Sequence, residues 1–369
     1  MDGIEREYLY WLCRSLPAAA VPIREMWERF GSFEQIYNIE GTQLREMGIL
    51  RGPKLAQAFD EAKKTRREAV EEYRQLPQQG IRFVTPFDPE YPDRLRHIYD
   101  YPMGLWVKGT LPSEKQPAAA VIGARNCTSY GEQAAELMGR ELASAGVQVI
   151  SGLALGVDGA GHRGALKGGG KTWGVLGCGV NICYPKRNYT LFREMESQGG
   201  ILSEFPPGEP PKPLNFPTRN RLISGLADVI LVIEAKERSG SLITARLGLD
   251  QGKEVFALPG RVTDVVSRGC NQLIQSGAAI LTGPGDVLEY LGVLREKKLI
   301  LYEKSEKGLA KNEKMVYSCL DSAPKHVEEI AALSGLAVSA CMEALLDLEL
   351  GGFAVKTTGL YYAKRLTCD

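Results

Sequence analysis

Between residues 118 and about 292, short runs of small and β-branched apolar residues alternate with longer segments whose apolar positions recur at helical spacing. The runs lie at 119–123, 147–151, 172–176, 201–204, 229–233, 254–258 and 279–281. Helical segments at 133–145, 160–166, 189–198, 219–226, 241–251 and 271–275 separate them. Strand and helix in strict alternation predict a doubly wound, mostly parallel α/β sheet covered on both faces. The pattern changes on either side. Residues 1 to about 75 read only as helices, at 5–14, 21–30, 32–38, 41–48 and 53–75, and the proline-broken aromatic stretch 91–102 reads as a strap onto the sheet. After a charged linker at 295–311 come three helices, at 314–320, 325–333 and 337–350. A hairpin follows at 353–356 and 361–363, giving a winged-helix pattern. The expected division is an N-terminal all-α module at 1–80, a Rossmann-like domain at 81–295 and a winged helix at 308–369.

In such a sheet the ligand sits beyond the carboxyl ends of the strands, so the loops there hold the chemistry. They are rich in Gly, Pro, Ser and Arg. The first turns at Gly123, places Arg125 just past a strand and reaches Thr128 before a helix, a ready anion site of backbone N–H groups and a guanidinium fork. Lys186 and Arg187 stand in another. Phe216 reads either as a ring for stacking or as core, and Arg219, Asn220 and Arg221 follow it at a helix start, the arginines facing an anion or forming surface salt bridges. Cations there oppose the helix dipole unless an anion faces them. Ser239, Gly240 and Ser241 open a further helix with hydroxyls and amides suited to a phosphate, or to a plain cap. Asp158 and His162, four apart, share a helix face. They read either as an acid–base pair or as groups packed and hydrogen-bonded inside a glycine-rich turn.

The chain of 369 residues has 45 basic and 45 acidic residues, so any affinity for nucleic acid rests on local clusters. Eight cysteines without a C-x-x-C pair and three histidines argue against a zinc site. No run approaches the length of a membrane span, and the acidic start lacks a leader pattern, so a cytoplasmic protein is expected. There is no P-loop, no G-x-S-x-G elbow and no dinucleotide fingerprint after the first strand. Residues 44–56 resemble a helix-hairpin-helix with glycines four apart, either a DNA-phosphate contact or a structural turn. The predicted helix 337–350 has no basic residue, which suits a protein contact better than a DNA groove.

Several motifs, in order, resemble the family of bacterial DNA-processing protein A, also called Smf. They are Ile122–Gly123–Ala124–Arg125 with Thr128–Ser129–Tyr130–Gly131, the Ser151–Gly152–Leu153–Ala154 run through His162, Tyr184–Pro185 with Asn188, and Leu202–Ser203–Glu204–Phe205–Pro206 with Gly208. Next come Phe216–Pro217 with Arg219–Asn220–Arg221, Ser239–Gly240–Ser241, Pro259–Gly260, and Ser267 and Gly269 with Asn271. The resemblance implies a non-enzymatic, cofactor-free single-stranded DNA-binding protein, usually a homodimer, that protects incoming DNA and loads the recombinase RecA onto it in natural transformation. It carries the pocket arginine to Arg125 and the stacking and basic residues to Phe216, Arg219 and Arg221. A dimer contact is expected at Leu273 and Ile274. The competing class is a Rossmann-like nucleotide phosphoribohydrolase, whose Pro-Gly-Gly-x-Gly-Thr run is missing from the matching loop at 234–241.

Overall fold

The computed structural model describes residues 1–16, 23–293 and 309–365. Among these, the main sheet has nine strands in the order β1-β2-β6-β5-β4-β3-β7-β8-β9. They are β1 (Arg82–Val84), β2 (Leu105–Gly109), β3 (Ala118–Ile122), β4 (Gln148–Ser151), β5 (Thr172–Leu176), β6 (Gly199–Ser203), β7 (Val229–Val232), β8 (Glu254–Ala257) and β9 (Ala279–Ile280). From β6 to β9 all neighbours are parallel. The apolar runs predict seven strands, and the structure adds two. β2 pairs antiparallel with β6, and β1 with β2. Both flank the proline-broken strap, outside the strand–helix alternation, and are strands through their antiparallel pairing.

Every residue of β3 is buried, and its alternation serves two cores. Ala119 and Val121 face α8 (Ser129–Ser144) and α9 (Val157–Lys167). Ala118, Ala120 and Ile122 face α11 (Asn215–Leu226) and α12 (Gly240–Asp250). The glycine-rich sequence of α9 lets it lie on α8 almost backbone to backbone. A Cβ at Gly164 would stand 2.1 Å from the Glu136 carbonyl oxygen. Shorter helices complete the layers: α7 (Asp93–Arg96), α10 (Tyr189–Ser197), α13 (Arg268–Gln275) and α14 (Pro284–Tyr290).

The N-terminal helices are α1 (Gly3–Ser15), α2 (Ile23–Phe30), α3 (Phe33–Asn38), α4 (Gly41–Glu46), α5 (Pro53–Lys63) and α6 (Arg66–Gln75). The helix expected over 53–75 breaks at Lys64–Thr65, and residues 21–22 of the expected second helix lie outside the described residues. These helices do not form a bead of their own. Tyr10 packs edge-on to Phe83 of β1 and Trp106 of β2, at centroid distances of 5.0 and 5.8 Å. Their core runs on into Leu153, Leu176 and Val180. In the hairpin-like turn between α4 and α5, Gly48 and Gly52 take φ of 78° and 90°.

The C-terminal module keeps a separate core built on Val316, Ile330, Leu345, Leu348 and Tyr362. It comprises α15 (Lys311–Cys319), β10 (Lys325–His326), α16 (Val327–Ser334), α17 (Val338–Leu350), β11 (Ala354–Lys356) and β12 (Tyr361–Lys364). Residues 295–308 of the expected linker lie outside the described residues. No single described helix is long and apolar enough to cross a membrane, and no described group of His, Cys, Asp and Glu is arranged to hold a metal ion.

Candidate functional site

The strand order reverses about β3, with β4 to β6 on one side and β7 to β9 on the other. The loops leaving β3 and β7 therefore part at the topological switch point, where a ligand anion is expected against the N-terminus of α8. The anion found there belongs to the chain. Glu234, buried just past β7, accepts the Thr128 backbone N–H at 2.8 Å and its hydroxyl at 2.5 Å. Thr128 Oγ1 in turn accepts from the Gly131 N–H at 3.0 Å, capping the helix. A Cβ at Gly131 would lie 2.4 Å from the Glu234 carboxyl carbon, and one at Gly123 would lie 2.9 Å from the Glu234 carbonyl oxygen. Gly123 and Thr128 thus serve this internal seat.

The open ground lies further along, over the ends of β4 and β5. The N-terminal turn of α11 sets Phe216 against Gly177, where an added Cβ would meet the ring at 2.9 Å. Three side chains gather at this ring. The Arg125 guanidinium stands 5.2 Å from its centroid and that of Arg219 5.9 Å. The Tyr184 ring is 5.7 Å away, inclined at 37°. Phe216 is half-buried and Arg125 exposed; among the described residues Arg125 has no carboxylate partner. Lys186 and Arg187 are exposed on the turn after Tyr184–Pro185. Tyr184 was not among the expected site residues. Its signal was an aromatic side chain ahead of a proline in a glycine-rich strand-end loop.

Arg219 and Arg221 are placed differently. The helix starts at Asn215, a turn earlier than expected, so neither arginine waits in a first turn for an outside anion. Arg219 is only 4% exposed. Its Nη1 donates to the carbonyls of Gly152, at 3.0 Å, and Val175, and its Nε donates to Asn220 Oδ1 at 3.3 Å. Burial lowers its pKa to about 10, with Asp158 pulling the other way. Burial likewise raises Asp158, against the pull of Arg219 and of the Gly152 N–H, which donates to it at 3.1 Å. Arg221 is equally enclosed. Its Nη2 meets Glu204 at 2.7 Å and its Nε meets Asp100 at 2.9 Å. Burial pushes Glu204 up to about 7, opposed by Arg221.

The remaining candidates have internal partners too. Asn220 is buried and donates to the Gly240 carbonyl at 3.4 Å. Ser239 caps α12, its hydroxyl 2.8 Å from that of Ser241, and Gly240 between them is exposed. Leu273 and Ile274 are half-buried on α13 against the sheet core. His162 is fully buried, with Nδ1 2.7 Å from Thr172 Oγ1, and burial lowers its pKa to about 3. Asp158 and His162 therefore each have a separate partner and do not pair.

Comparison with known proteins gives a consistent picture. A family model for DNA recombination-mediator protein A matches residues 82–292, and one for the DprA winged helix domain matches residues 303–359. Protein Smf of Escherichia coli is 39% identical over 292 residues, 77% of this chain and 78% of that one. The X-ray structure of DNA processing protein A from Streptococcus pneumoniae aligns with a TM-score of 0.65 at 33% identity, over 77% of this chain and 95% of the other. A structure of DNA processing protein A from Helicobacter pylori, described for its unique single-stranded DNA binding mode, aligns with a TM-score of 0.51 at 31% identity. It covers 57% of this chain and 95% of that one.

Proposed function

The chain belongs to the DNA recombination-mediator protein A family, and from that premise we propose that it binds single-stranded DNA at the Phe216 ledge. The observation that carries this reading is the exposed Arg125, free of any described carboxylate, set over the half-buried ring of Phe216. A base stacked on such a ring contributes about 1–3 kcal/mol, and a guanidinium holds the flanking phosphate. Lys186 and Arg187 extend the positive track. Stacking on Phe216 requires a base free of its duplex partner, which selects single strands. Family resemblance supports the finer assignments: a cytoplasmic homodimer, joined through Leu273 and Ile274, that protects incoming DNA and passes it to RecA in natural transformation. Against the phosphoribohydrolase alternative, Asp158 and His162 are each bound internally, and Glu234 fills the anion seat at the switch point.

Titration of the full chain with matched single- and double-stranded oligonucleotides, followed by fluorescence anisotropy, tests the proposal. Tighter single-strand binding that weakens in Arg125→Ala and in Phe216→Ala is expected. Equal affinity for both forms, or indifference to both substitutions, overturns it. Release of free base from a nucleoside 5′-monophosphate would favour the alternative.

A further inference from the structure

In a winged helix the third helix is the one that reads nucleic acid. Here that helix, α17, carries acids and no base. Its inner side, Cys341, Ala344, Leu345 and Leu348, closes the module's core. The outer side of such a helix is ordinarily polar. Instead Val338, Met342, Leu346 and Leu350 stand four residues apart along it, exposed at 44, 41, 55 and 79%. Leu333, in the last turn of α16, is 58% exposed as well. Beside this line runs a second one, of exposed Glu343 and Asp347, neither with a cationic partner among the described residues. Glu328 and Glu329 on α16 are also exposed.

We infer that this outer face of α17 is a docking surface for a basic amphipathic helix of another protein. Apolar side chains at four-residue spacing match anchors at i and i+4 on a partner helix laid along them. The acid line selects the sign of the flanks. It repels DNA phosphates and anionic lipid, and a second copy paired about a two-fold axis would bring Glu343 and Asp347 against acids like themselves. A helix with lysines or arginines beside its apolar stripe both covers the leucines and neutralises the acids. Burying two such side chains is worth enough to shift affinity by well over tenfold.

The probes are two synthetic helical peptides with the same leucine stripe, one flanked by lysines and the other by glutamates. Their binding to the full chain is followed by fluorescence polarisation. The lysine peptide should bind at one per chain and weaken with salt, and the glutamate peptide should not bind. Leu346→Ser with Met342→Ser should weaken the lysine peptide at least about tenfold. Glu343→Lys with Asp347→Lys should reverse the preference between the peptides. All four substitutions are at exposed positions, and single-stranded DNA affinity should stay unchanged in each variant, which separates this surface from the Phe216 ledge. Equal binding of both peptides, or no response to the substitutions, overturns the inference. So does self-association of the chain in sedimentation that Leu346→Ser abolishes, because the occupant would then be a second copy.

Discussion

The strand-end site has a rim and a floor that use one residue type in opposite ways. On the rim, Arg125 stands in solvent over an aromatic ring, with no described carboxylate to satisfy it. On the floor, Arg219 and Arg221 are sealed at 4 and 6% exposure, their donors taken up by carbonyls and by Glu204 and Asp100. A buried guanidinium holding several acceptors fixes loop ends to one another. To offer those donors to a ligand it would have to abandon buried acceptors, at a cost of several kcal/mol. Shape therefore comes from the floor and free charge from the rim.

The largest effect should come from breaking the floor. Arg219→Ala takes the guanidinium donors from the Gly152 and Val175 carbonyls and removes the positive charge that favours ionised Asp158, and should cost about 3–5 kcal/mol in urea unfolding. A variant of undiminished stability but poor DNA binding would move Arg219 to the rim. His162, near this floor, gives the next effect. The unfolded chain protonates this imidazole below pH 6.5, while the folded chain resists until about 3. Its contribution is thus intact above the upper value and lost as pH falls through that window, at up to about 1.4 kcal/mol per pH unit. Urea unfolding of His162→Gln across the same window should show a flatter slope.

Rim substitutions should behave in the reverse manner. Phe216→Ala and Arg125→Ala should each cost about 1–3 kcal/mol of single-strand affinity. Arg125→Ala should also reduce the slope of log affinity against log salt by about 0.7. Its unfolding midpoint should match that of the unsubstituted chain, and a drop as large as that of Arg219→Ala would erase the distinction. The smallest effect is expected from truncation after residue 293. Without the winged helix, anisotropy titration should give the same single-strand affinity, and a marked loss would add that module to the rim.

The main sheet was legible because β3, β5 and β7 are buried on both faces and read as unbroken apolar runs. β1 and β2 were not, because their pairing with distant strands makes them strands. Phe216 and Arg125 were visible as residue types just outside strands. The fate of Arg219 was not, since its acceptors Gly152 and Val175 lie 67 and 44 residues away in the chain. Glu234 left one local hint, an acid directly after a buried strand, but its seat on Thr128 is set by the adjacency of β3 and β7.

The continuous core beneath the N-terminal helices has a calorimetric consequence. Tyr10, Phe83 and Trp106 lock that helical layer to the antiparallel edge of the sheet, whereas the C-terminal module shares no cluster with either. Heat absorption should accordingly resolve into two cooperative steps. One belongs to residues 1–293 melting as a single unit, and the other to residues 309–365. Removing the first 80 residues should not leave a trimmed but intact sheet. It should strip the cover from Trp106 and abolish the main transition altogether.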